Sequence, residues 1–206
     1  MSISEKSWKI FNKSIEDYHL LDSVDAEERN PFSEGSLEWF LYSKSWTDTV
    51  QWHLEDIIRD EAISPDDALA IKRRIDSSNQ KRTDMVEYID SYFLEKFSDV
   101  SPRKGARINT ETPAWAIDRL SILALKIYHM NLEVNRKTAS SEQREKCREK
   151  LDVLVQQHTD LSSAIDRLIA DIEEGNVVMK TYKQMKMYND KDLNPILYQK
   201  KYHNDQ

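Results

Sequence analysis

The sequence predicts an all-α fold, a bundle of about five long helices with a long antiparallel hairpin and a short helical C-terminal tail. Three observations carry that prediction. Glycine occurs only at Gly35, Gly105 and Gly175, each where helical periodicity breaks, and the five prolines also sit at breaks or helix starts. Charged residues make up 33% of the chain against 39% hydrophobic, the balance that amphipathic helices with solvated outer faces require. The continuous Val/Ile-rich runs of a parallel sheet are absent. A length of 206 residues is enough to bury a real core. The expected division is a helical bundle over residues 1–178 and a tail over 179–206 that packs on it.

The first helix is expected over about residues 4–28, with Trp8, Phe11, Ile15 and Tyr18 on one face. Asn30 to Ser36 is a loop, and Ser36 can cap a second helix that carries Trp39 and Trp46 to about Ala62. Ser64-Pro65-Asp66-Asp67 combines a capping hydroxyl, a proline at the first helical position and acids in the positive first turn, so a third helix should run from there to about Phe97. Residues 98–112 form the longest loop, made basic by Arg103, Lys104 and Arg107. Thr112-Pro113 starts a fourth helix that is apolar nearly all round, as expected for the middle of a bundle. Ser140 with Gln143 makes a capping box for the fifth, which repeats Leu151, Leu154, His158, Leu161, Ile165, Leu168 and Ile172 before Gly175-Asn176 ends it. Helices four and five should pair as an antiparallel hairpin.

Composition also bounds the function. The N-terminus lacks the apolar segment of a signal peptide and no run is long enough to span a membrane, so a cytoplasmic location without membrane insertion is expected. One cysteine, Cys147, cannot form an internal disulfide. A net charge of −7 argues against a general nucleic-acid binder. Lysines between Lys180 and Tyr202 alternate with Tyr182, Tyr188 and Tyr198, a pattern able to stack single-stranded bases. Without arginine or a recognisable module, the expectation is instead that Met179, Tyr182 and Met185 dock the tail on the bundle.

The candidate site lies in the second and third helices. Trp46, Val50, His53 and Ile57 recur on one helix face, which puts a histidine on the apolar seam. His53, Glu55 and Asp56 are the candidate catalytic residues, an imidazole with carboxylates nearby being able to serve as general base and orienting acid. Asn79 and Arg82 interrupt the seam of the third helix, and with Arg59 and Asp118 they are the candidate ligand-binding residues. A divalent metal is the candidate cofactor, with His53, Asp56, Glu87 and Asp90 as its candidate ligands if the two helices pair antiparallel. A seam histidine or asparagine can equally fix helix register, and His158, isolated in its heptad run, is read as a core residue. Asp118 is also explained by the positive end of the helix dipole, and Glu55 with Arg59 by a surface ion pair.

Trp52 to Asp56, Ile75 to Arg82, Ile117 to Leu123 and Lys186 to Asp190 together resemble an uncharacterised bacterial family catalogued as domain of unknown function 4254, over most of the chain. The resemblance implies no established activity; it implies genes lying near sugar-transfer genes of the cell envelope. Two functions are therefore weighed. The first is a polar inter-helix pocket that binds or processes a phosphorylated or sugar-phosphate ligand with a divalent metal. The second is a non-catalytic interaction or scaffold protein, a homodimer or a partner of cell-envelope biosynthesis enzymes, whose inward polar groups fix packing.

Overall fold

The computed structural model describes residues 1–109 and 111–182 and contains five helices: α1 (Ile3–Leu21), α2 (Leu37–Ile57), α3 (Pro65–Lys96), α4 (Pro113–Asn135) and α5 (Ser141–Glu173). The starts are where the capping residues place them. Ser36, Ser64, Thr112 and Ser140 each accept a hydrogen bond from the backbone N–H three residues on, and Pro65 and Pro113 occupy first-turn positions that need no donor. Two ends come earlier than the periodicity suggests. Asp22 takes the left-handed conformation (φ 47°) and its N–H returns to the Tyr18 carbonyl, which ends α1 at Leu21 rather than near residue 28. Past Ile57 the chain leaves the helix through turns, and Asp60 Oδ1 accepts the Ala62 N–H.

A parallel pairing of two-residue strands, β1 (Arg107–Ile108) and β2 (Val177–Val178), ties the loop before α4 to the segment after α5. At Gly175 (φ 74°) a Cβ would stand 2.8 Å from the Ser101 carbonyl, so this close approach requires glycine. Arg107 bonds Asp171 and Arg103 bonds Asn176, so the basic loop is pinned to the end of α5. Met179 packs against the core, whereas docking of the tail through Met185 lies outside the described residues.

Helices α1, α2 and α4 run in the same direction. Lys6 lies beside Glu38 and His19 beside His53; Lys44 pairs with Asp118 and Trp52 stacks on His129. Helix α3 runs antiparallel to α2, as Phe40 with Tyr88 and Gln51 with Asn79 show. Helix α5 pairs antiparallel with α4, with Lys126 near Leu154 and Ile122 near Leu161. Small residues allow α1 and α2 to approach closely: Ser14 Oγ donates to the Tyr42 carbonyl and Ser45 Oγ to the Phe11 carbonyl. Helix α2 is consequently buried on every side from Leu41 to Thr49. His158 stacks on Trp8 at 3.7 Å in a packing role. No helix among the described residues is long and apolar enough to cross a membrane.

Candidate functional site

Lys44 is completely buried in the middle of α2, and burying an unpaired ammonium is among the costliest events in folding. The fold surrounds it with acceptors. Its Nζ binds Asp48 one turn along and Asp118 Oδ1 of α4 at 2.6 Å. Asp48 also accepts Ser121 Oγ at 2.6 Å and Arg82 Nε of α3 at 2.5 Å, while Arg82 Nη2 reaches Asp118 at 3.5 Å. Two cations and two anions thus cancel inside a lattice joining α2, α3 and α4. Burial works to lower the Arg82 pKa, but Asp48 and Asp118 outweigh it and hold the guanidinium more firmly protonated than usual.

The lattice forms one wall of a cavity of about 240 Å3 between these helices, lined by Asp48, Gln51, Trp52, Glu55, Asp56, Arg59 and Arg82 with Ile122 and Leu125. Arg59 bonds Glu55 at 3.1 Å and lies 3.5 Å from Asp56 at the exposed rim. Asn79 stands behind the wall and accepts the Gln51 amide at 2.8 Å; Ser78 donates to the other end of that amide, so Gln51 is fixed in orientation.

His53 points away from this cavity. Its Nε2 lies 3.3 Å from His19 Nε2 of α1, and His129 of α4 completes a group in which one ring nitrogen from each residue lies within 4.8 Å of the others. Among the described residues this is the group of histidine, cysteine or carboxylate side chains able to hold a metal ion. Tyr18 stacks on His53 at 5.2 Å, Trp52 on His129 at 4.7 Å with ring planes nearly parallel, and Tyr128 lies against His19 at 4.4 Å. Burial, reinforced by the neighbouring imidazoles, pushes His129 down to about 4 and lowers His53 as well; the carboxylates of Asp22 and Asp56 act the other way.

The structure therefore divides the residues that the sequence grouped. Glu55, Asp56, Arg59 and Arg82 share one cavity, with Asp118 joined to its wall and Asn79 to its rear. His53 joins two other histidines instead of Glu55 and Asp56. The metal set His53, Asp56, Glu87 and Asp90 is not assembled. Asp90 is buried at the start of α4, bonded by Thr112 and the Ala114 N–H, with Glu87 beside it. From Ala114 to His129 is fifteen residues of helix, roughly 22 Å at 1.5 Å per residue, far beyond the reach of a shared ion.

Lys44, Asp48, Ser121, His19 and His129 are the residues that sequence reasoning missed. Lys44 and Asp48 are the sole charged residues between Trp39 and Leu54, and that isolation is a signal of burial. Each clustered histidine directly follows an aromatic residue, in Tyr18-His19, Trp52-His53 and Tyr128-His129, but Tyr202-His203 shares the pattern, so it separates them only from His158. Among curated proteins and among solved structures, nothing matches the chain. The family model described as protein of unknown function (DUF4254) matches residues 38–181, a span holding the lattice, the cavity and two of the three histidines, and the chain belongs to that family.

Proposed function

We propose that the protein binds a small ligand carrying an anionic group, phosphorylated or a sugar phosphate, in the cavity between α2, α3 and α4. The observation that carries this reading is the buried lattice holding Arg82 at the cavity wall. Burying four charges costs several kcal/mol per ion before pairing, and apolar residues of similar volume would hold three helices together at least as well. What the lattice adds is a guanidinium fixed in position, with Nε and one Nη committed to aspartates, on a surface a ligand can reach. Arg59 at the rim supplies a second cation, Gln51, Glu55 and Asp56 supply hydrogen bonds for hydroxyls, and Trp52, Ile122 and Leu125 form an apolar wall. A mixed lining of this kind suits a compact polar molecule better than a bare anion or an aliphatic chain. A cytoplasmic setting near cell-envelope sugar transfer is consistent with such a ligand.

The test is thermal unfolding and calorimetry of chelator-treated protein with inorganic phosphate and with glucose 6-phosphate. A ligand at a hundred times its Kd stabilises by about 2.7 kcal/mol, which raises Tm by roughly 5–10 °C in a domain of this size. Arg59→Ala, at the exposed rim, should weaken binding about tenfold with Tm unchanged in the absence of ligand. The second reading, an interaction or scaffold protein, is favoured by exposed Leu132, Val153 and Val155 on the α4–α5 hairpin. A chain that ignores both phosphates and sediments as a concentration-dependent dimer overturns the ligand reading in favour of the second.

A further inference from the structure

The three histidines reach one point from three helices whose parallel course brings residues 19, 53 and 129 to the same end of the bundle. Hydrogen bonding determines how they present their nitrogens. His19 Nδ1 lies 2.7 Å from the Ile15 carbonyl oxygen, which can only accept, so Nδ1 carries the proton. A neutral His19 therefore offers a lone pair at Nε2, the atom facing His53 Nε2 at 3.3 Å. Without an ion, His53 donates its own proton across that gap. With one, the proton leaves and both lone pairs point at the cation. Two nitrogens bound to tetrahedral zinc at 2.0–2.1 Å stand roughly 3.3–3.4 Å apart, so this edge already has the required length. The Ile15 carbonyl is the kind of outer partner that fixes a metal-binding imidazole in its tautomer.

The third histidine supplies an independent indication. His129 Nε2 is buried and has no hydrogen-bond partner among the described residues. Packing explains why its ring lies flat on Trp52, but not why a polar atom is left unsatisfied, at a typical cost of about 1–3 kcal/mol. A cation held through Nε2 would remove that deficit. Asp22 and Asp56 place negative charge near His53 and His129. Imidazole donors suit zinc, cobalt, nickel, copper or iron and do not suit magnesium or calcium, which require oxygen.

We propose that His19, His53 and His129 form a binding site for a divalent transition-metal ion, zinc in the first instance, with a coordination position left for water or a small anion. The site is separate from the phosphate cavity: Trp52 lines that cavity and stacks on His129, so the two share one side chain and no metal ligand. Three histidines with one open position are the arrangement in which zinc lowers the pKa of bound water to about 7. The metal site thus gives the protein a source of hydroxide that nothing in the cavity supplies.

The experiment is a cobalt(II) titration of the tag-free, chelator-treated full chain, followed in the visible spectrum with no phosphate present. One equivalent of cobalt should bind with ligand-field bands of four- or five-coordinate cobalt, and one equivalent of zinc should displace it. Magnesium should neither displace cobalt nor raise Tm. His19→Ala, His53→Ala and His129→Ala should each weaken cobalt binding at least about a hundredfold, since losing even an outer-shell partner costs ten- to a hundredfold. His158→Ala, which alters a histidine stacked on Trp8 outside the group, should leave it unchanged. Failure of wild-type protein to bind cobalt or zinc overturns the proposal without recourse to any variant. So does cobalt binding that survives replacement of His129. Neither result bears on the cavity, which is titrated with phosphate in chelator.

Discussion

Trp52 borders two polar groups that are stabilised in different ways. On its cavity side Lys44, Asp48, Arg82 and Asp118 form a closed set of ion pairs, each meeting its counter-ions within the fold. On its other face burial draws His53 and His129 toward the neutral state beside His19, and one nitrogen has no partner among the described residues. A buried charge cannot wait for a ligand, because its solvation energy must be replaced as the chain folds. A neutral imidazole can wait, at the cost of one unsatisfied atom. The lattice is therefore a finished structural element that presents Arg82. The histidines are an unfinished one that an ion completes, and substitutions on the two sides should behave differently.

The largest effect is expected at Lys44. Lys44→Met removes one cation from a neutral lattice and leaves Asp48 and Asp118 sharing Arg82, so unfolding in urea should show a loss of about 3–5 kcal/mol. Lys44→Met combined with Asp48→Leu restores the charge balance through Arg82 and Asp118 and should recover most of that loss. A single Lys44→Met variant as stable as the parent would erase the distinction between the two sides, since it would mean that the aspartates do not depend on Lys44.

Asp90 is an intermediate case, a buried acid with no cationic partner among the described residues. Its Oδ1 has no partner among the described residues, and burial pushes its pKa up to about 6 from an ordinary 3.8, against the hydrogen bonds from Thr112 and Ala114. The folded state thus holds this proton more tightly than the unfolded chain does. Asp90 imposes no penalty below about pH 4; its penalty grows between the unfolded value of 3.8 and the folded value of about 6, and is complete above that. The full difference is on the order of 3 kcal/mol. Asp90→Asn should match the parent near pH 4 and exceed its stability by up to about that amount near pH 8. Urea unfolding at the two pH values checks this, and a constant difference between parent and variant would remove Asp90 from the titration.

How much of this was legible follows from whether the signal was local. Caps at Ser36, Ser64, Thr112 and Ser140 act within one turn, so the helix starts could be read directly, whereas the end of α1 depends on Asp22 adopting a left-handed conformation that aspartate permits but does not announce. Arg82 stood out because it interrupts an apolar stripe, and Asp118 because it lies in the first turns of the most apolar helix. Lys44 and Asp48, four apart, look like an ordinary surface pair until α2 is known to be enclosed on all sides. The histidine group was least visible because no two of its members share a helix. Periodicity describes what one helix does, and the meeting of residues 19, 53 and 129 depends on three helices running in the same direction.

The smallest effect is expected at His129, and it tests the comparison most sharply. In chelator-treated protein His129→Phe keeps an aromatic ring against Trp52 and removes the buried Nε2, which has no hydrogen-bond partner among the described residues. The lost deficit and the slightly larger ring should nearly cancel, leaving stability within about 1 kcal/mol of the parent. Added zinc should then raise the Tm of the parent and leave the variant where it was. A loss of several kcal/mol without metal would instead show that His129 Nε2 is satisfied by ordered water in the resting protein, and that both sides of Trp52 are closed polar networks.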